Sequence, residues 1–300
     1  MISICIPAYN FNISSLINEL SNQLDSLNVL CEIIVIDDCS ENFKKINEIA
    51  CEKHTYIELP ENIGRARIRN LFLQYTKYEY LIFLDCDSLI KTNSFLSNYV
   101  ELIEKKTSVV CGGRVYEASR PGRERRLSWK YGTLRESQSY SSRQEFPNKS
   151  FMTNNFLISK KVLEDNKFDE RIVKYGHEDT LLGFSLKKKN IIITHIDNPV
   201  INGGLELNRE YLNKTGEGLI SLIQILNFTK YDKDLIDAVT ILSFYHRIRK
   251  VEKIVHLSFC ISKPLIVFLL TRGYVSLFLF DYYKLGILIE NIRNMRNKNV

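Results

Sequence analysis

Two aspartates that directly follow an apolar segment are the first residues in this sequence that could do chemistry. Asp85 and Asp87 come after Tyr80–Leu84, a continuous apolar run of the kind that forms a buried strand. Carboxylate oxygens are the ligands that Mg²⁺ and Mn²⁺ prefer, and a bound diphosphate needs such a cation to neutralise it. Paired aspartates also form turns and cap helices, so other signals must support a metal site here.

A second pair of acids, Asp37 and Asp38, ends an earlier apolar run in the same way. A carboxylate in this place can accept hydrogen bonds from the N–H of a uracil-type base or from ribose hydroxyls. The same residues can instead form an Asx-turn with Cys39 and Ser40. Taken alone, the pair is compatible with either role.

A predicted helix start between residues 61 and 70 offers an anion site. Asn62 is placed to cap the helix, Gly64 follows it, and Arg67 lies in the first turns. Helix N-termini attract anions, and arginines there can hold a diphosphate. Arginines on a helix also form an ordinary solvated face, so this segment gains meaning only in combination with the others.

Two further acids, Glu178 and Asp179, open a segment whose apolar residues repeat with helical spacing. In the first turn of a helix the dipole helps to keep a carboxylate ionised, and an ionised carboxylate in a cleft can act as a general base. The alternative is the enrichment of acids that is ordinary at helix starts.

The elements that position these residues alternate between short β-rich runs and helix-length segments. Runs at 2–6, 32–37, 55–59, 80–84 and 108–111 predict βαβ units and a mostly parallel sheet flanked by helices. Ligands of such sheets bind beyond the carboxyl ends of the strands, which is where the acid pairs lie. A strand–helix unit is predicted at 155–161 and a further β-run at 191–195.

A polar, basic and Ser-rich stretch from 117 to 150 contains Trp129, the only tryptophan. It is longer than an ordinary connection, and we predict a functional loop. Beyond residue 211 the apolar residues fall at helical spacing. The sequence therefore predicts an α/β catalytic domain over 1–210 and a helical C-terminal extension over 211–300.

Composition narrows the class of protein. The 300 residues include 45% hydrophobic and 25% charged residues, enough for one large domain with an appendage. Seven scattered cysteines without a Cys-x-x-Cys pair, and an opening that reads as a strand rather than a signal peptide, lead us to expect a reducing cytoplasm. The net charge of +6 includes a cluster at Arg120, Arg123, Arg125 and Arg126, but no nucleic-acid-binding motif accompanies it, so we expect no nucleic-acid partner.

Together these segments resemble family-2 glycosyltransferases, the inverting enzymes with the GT-A fold. Residues 4–10 look like the first strand and nucleotide-binding turn of that family, and Asp38 matches its nucleoside-contacting aspartate. Asn62-x-Gly64-x-x-Arg67-x-x-Asn70 resembles the family's Asn-x-Gly…Ala-Arg-Asn signature. Asp85-x-Asp87 resembles its metal motif, and residues 176–179 resemble its acceptor-side Glu-Asp motif.

The resemblance implies a role for each motif. Asp87, with Asp85, would hold Mn²⁺ or Mg²⁺, and Asp179, assisted by Glu178, would deprotonate the acceptor. Asn154, Asn155 and Trp129 would face the donor sugar or the acceptor, and the Arg-rich segment around Trp129 would close over the donor. The donor nucleotide would meet residues at the ends of the early strands: Pro7, Tyr9, Asn10, Asp38, Asn62, Gly64, Arg67 and Asp85.

Two departures from the family pattern qualify this transfer. Family members often carry a histidine ligand after the last strand, where this sequence has Asn202; His195 could substitute, although a lone histidine on a β-run is commonly structural. The Ala-Arg-Asn signature is also loosened, since Ala66-Arg67 is separated from Asn70. Weaker metal binding or activity would follow.

We therefore expect transfer of a hexosyl or N-acetylhexosaminyl group from a nucleotide-diphosphate donor, with a UDP-sugar as first expectation. The acceptor would be a hydroxyl of a glycan or lipid-linked glycan in surface polysaccharide assembly. An inactive nucleotide-sugar-binding protein is the main alternative, given Asn202. A nucleotidyltransferase is the second alternative, although its first strand usually leads into a Gly-rich loop and here the turn is residues 7–10. A Rossmann dehydrogenase is disfavoured because no Gly-x-Gly-x-x-Gly follows any early strand.

The C-terminal extension predicts a peripheral membrane contact. Apolar runs at 264–270 and 274–280 lie near the basic residues Arg247, Arg249, Lys250 and Lys253. Because Lys263, Arg272 and Asp281 interrupt these runs, we expect no spanning helix but an interfacial one, on the inner face of the cytoplasmic membrane. Packing on the catalytic domain, or a dimer interface, is the alternative.

Overall fold

The computed structural model describes residues 1–27, 29–173 and 175–298, and within them the chain forms two compact units. The first unit contains residues 1–117, 136–173 and 178–204. The second contains residues 118–135, 175–177 and those from 205 onward. The segments 118–135 and 175–177, which the sequence prediction placed in the first domain, thus belong to the second unit.

All strands in the described part of the chain lie in the first unit. In chain order they are β1 (Ile2–Ala8), β2 (Cys31–Asp37), β3 (Thr55–Glu58), β4 (Tyr80–Leu84), β5 (Ser88–Leu89), β6 (Val109–Cys111), β7 (Arg114–Val115), β8 (Asn155–Ser159), β9 (Thr194–His195) and β10 (Val200–Asn202). Seven form the main sheet in the order β3-β2-β1-β4-β8-β6-β9. All neighbours in it are parallel except β8, which runs antiparallel to β4 and β6. The predicted mostly parallel sheet is confirmed.

Helices cover both faces of this sheet. Those of the first unit are α1 (Ser14–Leu24), α2 (Lys44–Ala50), α3 (Arg65–Tyr75), α4 (Phe95–Glu104), α6 (Tyr140–Glu145), α7 (Lys160–Asp165) and α8 (Glu178–Lys188). Neighbouring residues of β1 enter different cores: Ile4 joins a cluster with Leu16 and Phe95, whereas Cys5 joins one with Phe72. Alternate residues of a strand point to opposite faces, so burial of both faces requires continuous apolar strands.

A small second sheet fixes the turn after β4. Its order is β5-β10-β7, and β5 begins at Ser88, directly after Asp87. In the antiparallel pair of β10 and β5, Asn202 lies opposite Ser88. The pairing therefore brings the last strand of the first unit to the aspartate turn.

The second unit is helical. Its helices are α5 (Arg126–Tyr131), α9 (Asn208–Phe228), α10 (Lys233–Ala238), α11 (Thr240–Ile248), α12 (Glu252–Thr271) and α13 (Leu277–Lys298), with 3₁₀ turns at Arg123–Arg125 and Arg249–Val251. Its core includes Leu127, Leu222, Phe259 and Leu288, all buried. The helical character predicted beyond residue 211 is present.

The stretch from 117 to 150 is not the long loop that its polarity predicts. It contains the 3₁₀ turn, α5, a π-helical turn at Gly132–Glu136 and α6. Leu127 and Tyr131, four residues apart on one helical face, pack into the core of the second unit, and this spacing explains the helix. The β-run predicted at 191–195 shortens to Thr194–His195.

One helical run, Thr240–Thr271, is long and apolar enough to cross a membrane by length and composition, and only 17% of its most apolar window is buried in the structure. This corrects the expectation that Lys263, Arg272 and Asp281 leave no segment apolar enough to span a membrane. In residues 254–271 Lys263 is the only Lys, Arg, Asp or Glu, and a single charge does not remove the stretch from consideration.

Candidate active site

The turn that carries Asp85 and Asp87 is held from both sides. The Asp85 N–H donates to the Asn154 carbonyl (3.0 Å), and the Gly203 N–H donates to the Asp87 carbonyl (2.8 Å). A Cβ atom on Gly204 would lie 2.4 Å from Oδ2 of Asp87, so only glycine permits the chain to pass this close to the carboxylate. The two carboxylates are thus presented by a rigid turn at the carboxyl end of β4.

The environment of Asp87 suits a cation. Burial raises the pKa of Asp87, the neighbouring Asp85 raises it further, and Arg114 and Arg65 partly oppose this. In the described residues no side chain donates a hydrogen bond to its carboxylate. A hard divalent ion would relieve the repulsion between two carboxylates, and oxygen donors are what Mg²⁺ or Mn²⁺ require. The residues present therefore fit the ion.

The acidic, histidine and cysteine side chains of the described residues do not by themselves complete a coordination shell. Within the part of the chain that the structure describes, no group of three or more His, Cys, Asp and Glu side chains could hold a metal ion. Asn202 is the available neighbour: it lies opposite Ser88, and its Oδ1 accepts the Gly204 N–H (3.0 Å). Further oxygen ligands would come from water or from a bound phosphate group.

His195 does not offer a ligand for this site. It lies on β9, which is separated from β4 by β8 and β6, or about 14 Å at ordinary strand spacing. Its Nδ1 contacts the Arg143 guanidinium (2.9 Å) and its Nε2 contacts the Pro147 carbonyl (2.8 Å). Burial lowers the pKa of His195, and the neutral ring serves the fold. The expectation that His195 could replace the missing family histidine is corrected.

A buried arginine joins the aspartate turn to the second acid pair. The Arg69 side chain on α3 donates from Nη2 to Asp85 Oδ1 (2.8 Å) and from Nη1 to Glu178 Oε1 (3.2 Å). Only 1% of Arg69 is exposed, and its guanidinium lies 5.6 Å from the ring centre of Phe168. One guanidinium therefore fixes the distance between the two motifs.

Sequence reasoning missed this residue and selected Arg67. Arg67 is exposed on α3, whereas Arg69 points into the unit. The sequence did contain a signal for Arg69, because this arginine directly precedes Asn70 and so preserves the adjacent Arg-Asn pair of the family signature. Asn70 fixes the helix by donating to the Phe168 carbonyl (2.9 Å) and accepting the Phe168 N–H (2.9 Å).

Glu178 and Asp179 lie in the first turn of α8 but differ in their surroundings. Glu178 is occupied by Arg69, with Arg65 3.8 Å away. Asp179 accepts the Thr180 N–H at Oδ1 (2.6 Å), and among the described residues its Oδ2 has no hydrogen-bond partner. Burial and the adjacent Glu178 raise the pKa of Asp179 to about 6. Asp179 is thus the member of the pair with an oxygen that no described group binds and with a pKa close to neutral pH.

The predicted nucleotide residues meet where β1 and β2 end. Both carboxylate oxygens of Asp38 accept backbone N–H groups, from Ile63 (2.7 Å) and Gly64 (3.1 Å), and burial raises the pKa of Asp38. The Asn62 side chain donates to the Asp38 carbonyl (3.1 Å). Gly64 has φ +82°, a conformation that favours glycine. Asp38 therefore orders the start of α3, and its contact with a nucleoside stays a prediction.

The turn after β1 is hydrogen-bonded to the turn after β2. The Oδ1 atom of Asn10 accepts N–H groups from Glu41 (2.8 Å) and Asn42 (3.0 Å). Pro7 is part of β1, and the Tyr9 side chain is half exposed at its end. An exposed aromatic ring beside these ordered turns is available to a ligand, and the predicted contact of Tyr9 with the donor nucleotide stays a prediction.

Of the three predicted sugar or acceptor residues, Asn155 is structural. Its Oδ1 accepts the Tyr99 hydroxyl (2.6 Å), and its Nδ2 donates to the carbonyls of Gly113 (3.0 Å) and Asn198 (2.8 Å). The expectation of substrate contact is corrected, because the side chain is fully buried and its amide is satisfied.

Asn154 differs: its Oδ1 is buried with no partner among the described residues, which leaves it able to accept a hydrogen bond. Trp129 lies on α5 in the second unit, and its role stays a prediction.

An α/β unit with two acid pairs at the carboxyl edge of its sheet is the GT-A arrangement. The family model for glycosyl transferase family 2 matches residues 3–166, more than half of the chain. The chain belongs to this family.

Known relatives agree with this assignment. An uncharacterized glycosyltransferase of Haemophilus influenzae is 33% identical over 89 residues, a stretch that spans 29% of each chain. Among solved structures, the mannosyltransferase PcManGT of Pyrobaculum calidifontis, in complex with GDP-Man and Mn²⁺, superposes with a TM-score of 0.56 at 12% identity and covers 97% of this chain and 86% of its own. Mannosyl-3-phosphoglycerate synthase of Rubrobacter xylanophilus gives 0.54 at 14% identity, covering 77% and 76%. At such identities the structures establish the shared fold.

The shared guanidinium leads to a prediction about stability. Arg69→Met should destabilise the protein by about 3–5 kcal/mol, because it leaves the buried Glu178 and the partly buried Asp85 without their partner. Arg67→Met, two residues away on the same helix but exposed, should change stability by less than about 0.5 kcal/mol. Urea unfolding of the two variants measures the difference; equal stabilities would refute a structural role for the Arg69 network.

Proposed function

We propose that this protein transfers a sugar from a nucleotide-diphosphate donor to a hydroxyl acceptor in a metal-dependent reaction that inverts the anomeric configuration. The observation that carries the proposal is the position of Arg69. By pairing with Asp85 and Glu178 it places a cation-binding turn and a base-bearing helix at one edge of the sheet. Donor activation and acceptor deprotonation must occur on opposite sides of one anomeric carbon, so the two groups have to be held together.

Asp87 and Asp85 would hold Mn²⁺ or Mg²⁺, with Asn202 as a further oxygen ligand. The ion, when bound, would neutralise the diphosphate and so improve it as a leaving group. Arg65, near Asp87 and on the first turn of α3, would add positive charge toward the same phosphates. The donor side of the site would otherwise be formed by the turns after β1 and β2.

Asp179 would accept the proton of the acceptor hydroxyl. As the hydroxyl oxygen forms its bond to the anomeric carbon, the bond from that carbon to the diphosphate oxygen breaks, and the proton moves to Asp179. With a pKa of about 6, Asp179 is ionised at neutral pH and remains basic enough to take a proton. Glu178 would position α8 through Arg69.

We propose a UDP-sugar as donor, of hexosyl or N-acetylhexosaminyl type, and a glycan or lipid-linked glycan acceptor in surface polysaccharide assembly. The complex of PcManGT with GDP-Man and Mn²⁺ supports a sugar nucleotide and a divalent ion on this fold. The opposite possibility, a sugar-nucleotide-binding protein without activity, rests on Asn202 in place of a histidine. Donor consumption in the presence of an acceptor separates the two.

We also propose that the protein works in the cytoplasm, in peripheral contact with the inner face of the membrane. Its seven cysteines are all free in the structure, which suits a reducing compartment. Exposed apolar residues on α12 suit an interface with lipid. Such contact would bring a lipid-linked acceptor to the enzyme.

Removal of the cation or of its main ligand should stop the reaction. Chelator should abolish donor turnover, and excess Mn²⁺ or Mg²⁺ should restore it. Asp87→Asn should reduce turnover by at least about a hundredfold while the unfolding transition stays intact, because the diphosphate loses its counter-charge. Asp165→Asn, at an exposed aspartate on α7, serves as control. Full turnover in excess chelator would rule out the metal role.

The pH profile should identify the base. A carboxylate with a raised pKa loses its basic form as pH falls, so turnover should decline below about pH 6 and be level above it. Asp179→Asn should retain donor binding and lose transfer by about 10²–10⁴-fold. If Glu178→Gln is the variant that loses transfer with unchanged stability, and Asp179→Asn is nearly normal, the roles of the two acids are reversed.

A further inference from the structure

A pocket in the second unit collects four arginines. It has a volume of about 580 Å³ and is lined by Arg120, Arg123, Arg126, Arg272 and residues 273–276. No carboxylate among the described residues forms an ion pair with any of the four. Glu124 is the only acid in the segment 118–135. Burial and repulsion from Arg120 and Arg123 lower the pKa of Arg126. Glu124 partly opposes this shift. Four neighbouring guanidinium groups with one nearby acid, and with no ion pair among the described residues, indicate an anion site.

The pocket is built by close packing of two chain segments. A Cβ atom on Gly273, where φ is +80°, would lie 2.3 Å from the Arg123 carbonyl oxygen, so glycine alone allows the approach. The Asn208 side chain, only 1% exposed, donates to the carbonyls of Arg123 (2.8 Å) and Thr271 (3.3 Å) and ties the same segments together. The arginines are therefore held by the fold and are not merely neighbours in sequence.

The start of a long helix adds to the positive potential. Residues 273–276 of the lining lead directly into α13, whose 22 residues begin at Leu277. Ser276 Oγ accepts the Leu279 N–H (3.4 Å). The N-terminal end of a helix carries partial positive charge and free N–H groups, so it reinforces the arginines in attracting an anion.

An exposed apolar stripe runs along α12 toward this pocket. Its residues recur every three or four positions, as on one face of a helix, and each is between 54% and 75% exposed: Ile254, Leu257, Ile261, Leu265 and Phe268. The Arg272 guanidinium, which lines the pocket, lies 5.7 Å from the ring centre of Phe268. Tyr274 in the lining and Phe278 just beyond it are 60% and 79% exposed. The cationic pocket and the apolar stripe are therefore continuous.

We propose that this pocket binds the phosphate group of a membrane lipid while the α12 stripe lies among the lipid chains. A soluble phosphate would use the arginines but would leave the apolar stripe in water. An amphiphile satisfies both, because its phosphate and its hydrocarbon are adjacent, as are the pocket and the stripe. The inference deepens the membrane contact proposed above and rests on it, but it does not require sugar transfer.

Co-sedimentation with phosphatidylcholine vesicles that contain phosphatidic acid tests the proposal, with pure phosphatidylcholine for comparison. Wild-type protein should bind the phosphatidic acid vesicles at low salt, and Arg120→Glu with Arg272→Glu should weaken binding by at least about tenfold. The matched control is Lys230→Glu with Lys233→Glu, an equal change of charge at exposed sites after the far end of α9. Those sites lie about 30 Å along the helix from Asn208, beyond the Debye length, so the control should bind like wild type.

Ile261→Ser with Leu265→Ser should also weaken vesicle binding, because the stripe loses its apolar area. Three results would overturn the proposal: no vesicle binding by folded wild-type protein, equal loss in the pocket variant and the lysine control, or unchanged vesicle binding in the pocket variant together with loss of thermal stabilisation by inorganic phosphate. The last result would assign the pocket to a soluble phosphate. Turnover with a soluble acceptor should be unchanged in the variant with Ile261→Ser and Leu265→Ser, so failure of the proposed reaction is detected separately.

Discussion

The buried guanidinium of Arg69 is the interaction on which the site in the first unit depends. A buried charge is costly unless it is paired, and Arg69 is paired with acids from two distant segments of the chain. Neither acid can move independently of α3 without leaving a charge unpaired in the interior. The geometry of the site is therefore set by folding, and it is formed before any substrate binds.

The pairing with Arg69 also explains why the two acids of each pair differ in their surroundings. Asp85 and Glu178 are both engaged by Arg69, whereas their neighbours Asp87 and Asp179 are not. The pKa values of Asp87 and Asp179 are both raised by burial first and by the neighbouring acid second. In each pair, one acid is held by Arg69 and the other is not. In the proposed reaction Asp87 would bind a cation and Asp179 would accept a proton.

Much of this arrangement could be predicted from sequence because strands buried on both faces leave a continuous apolar signal. For this reason the sequence correctly located acids at the carboxyl ends of β2 and β4. Contacts between distant segments left no such signal. The pairing of Arg69 with Glu178, the saturation of the Asn155 amide by Tyr99 and Asn198, and the Arg143 contact of His195 depend on the folded sheet order. Polarity was misleading at 117–150, where Leu127 and Tyr131 pack one face of α5 into the core of the second unit.

The central claim is that the carboxyl edge of the main sheet binds a nucleoside diphosphate sugar together with a divalent ion. Thermal unfolding of the wild-type protein with UDP-, GDP- and dTDP-sugars, each with Mn²⁺ and with chelator, tests it most directly. A ligand that binds only the native state at about a hundred times its Kd adds about 2.7 kcal/mol of stability. The account predicts that at least one sugar nucleotide, with UDP-sugars first, raises the unfolding temperature in Mn²⁺ and does not do so in chelator. Equal stabilisation in chelator, or none by any sugar nucleotide, would contradict it.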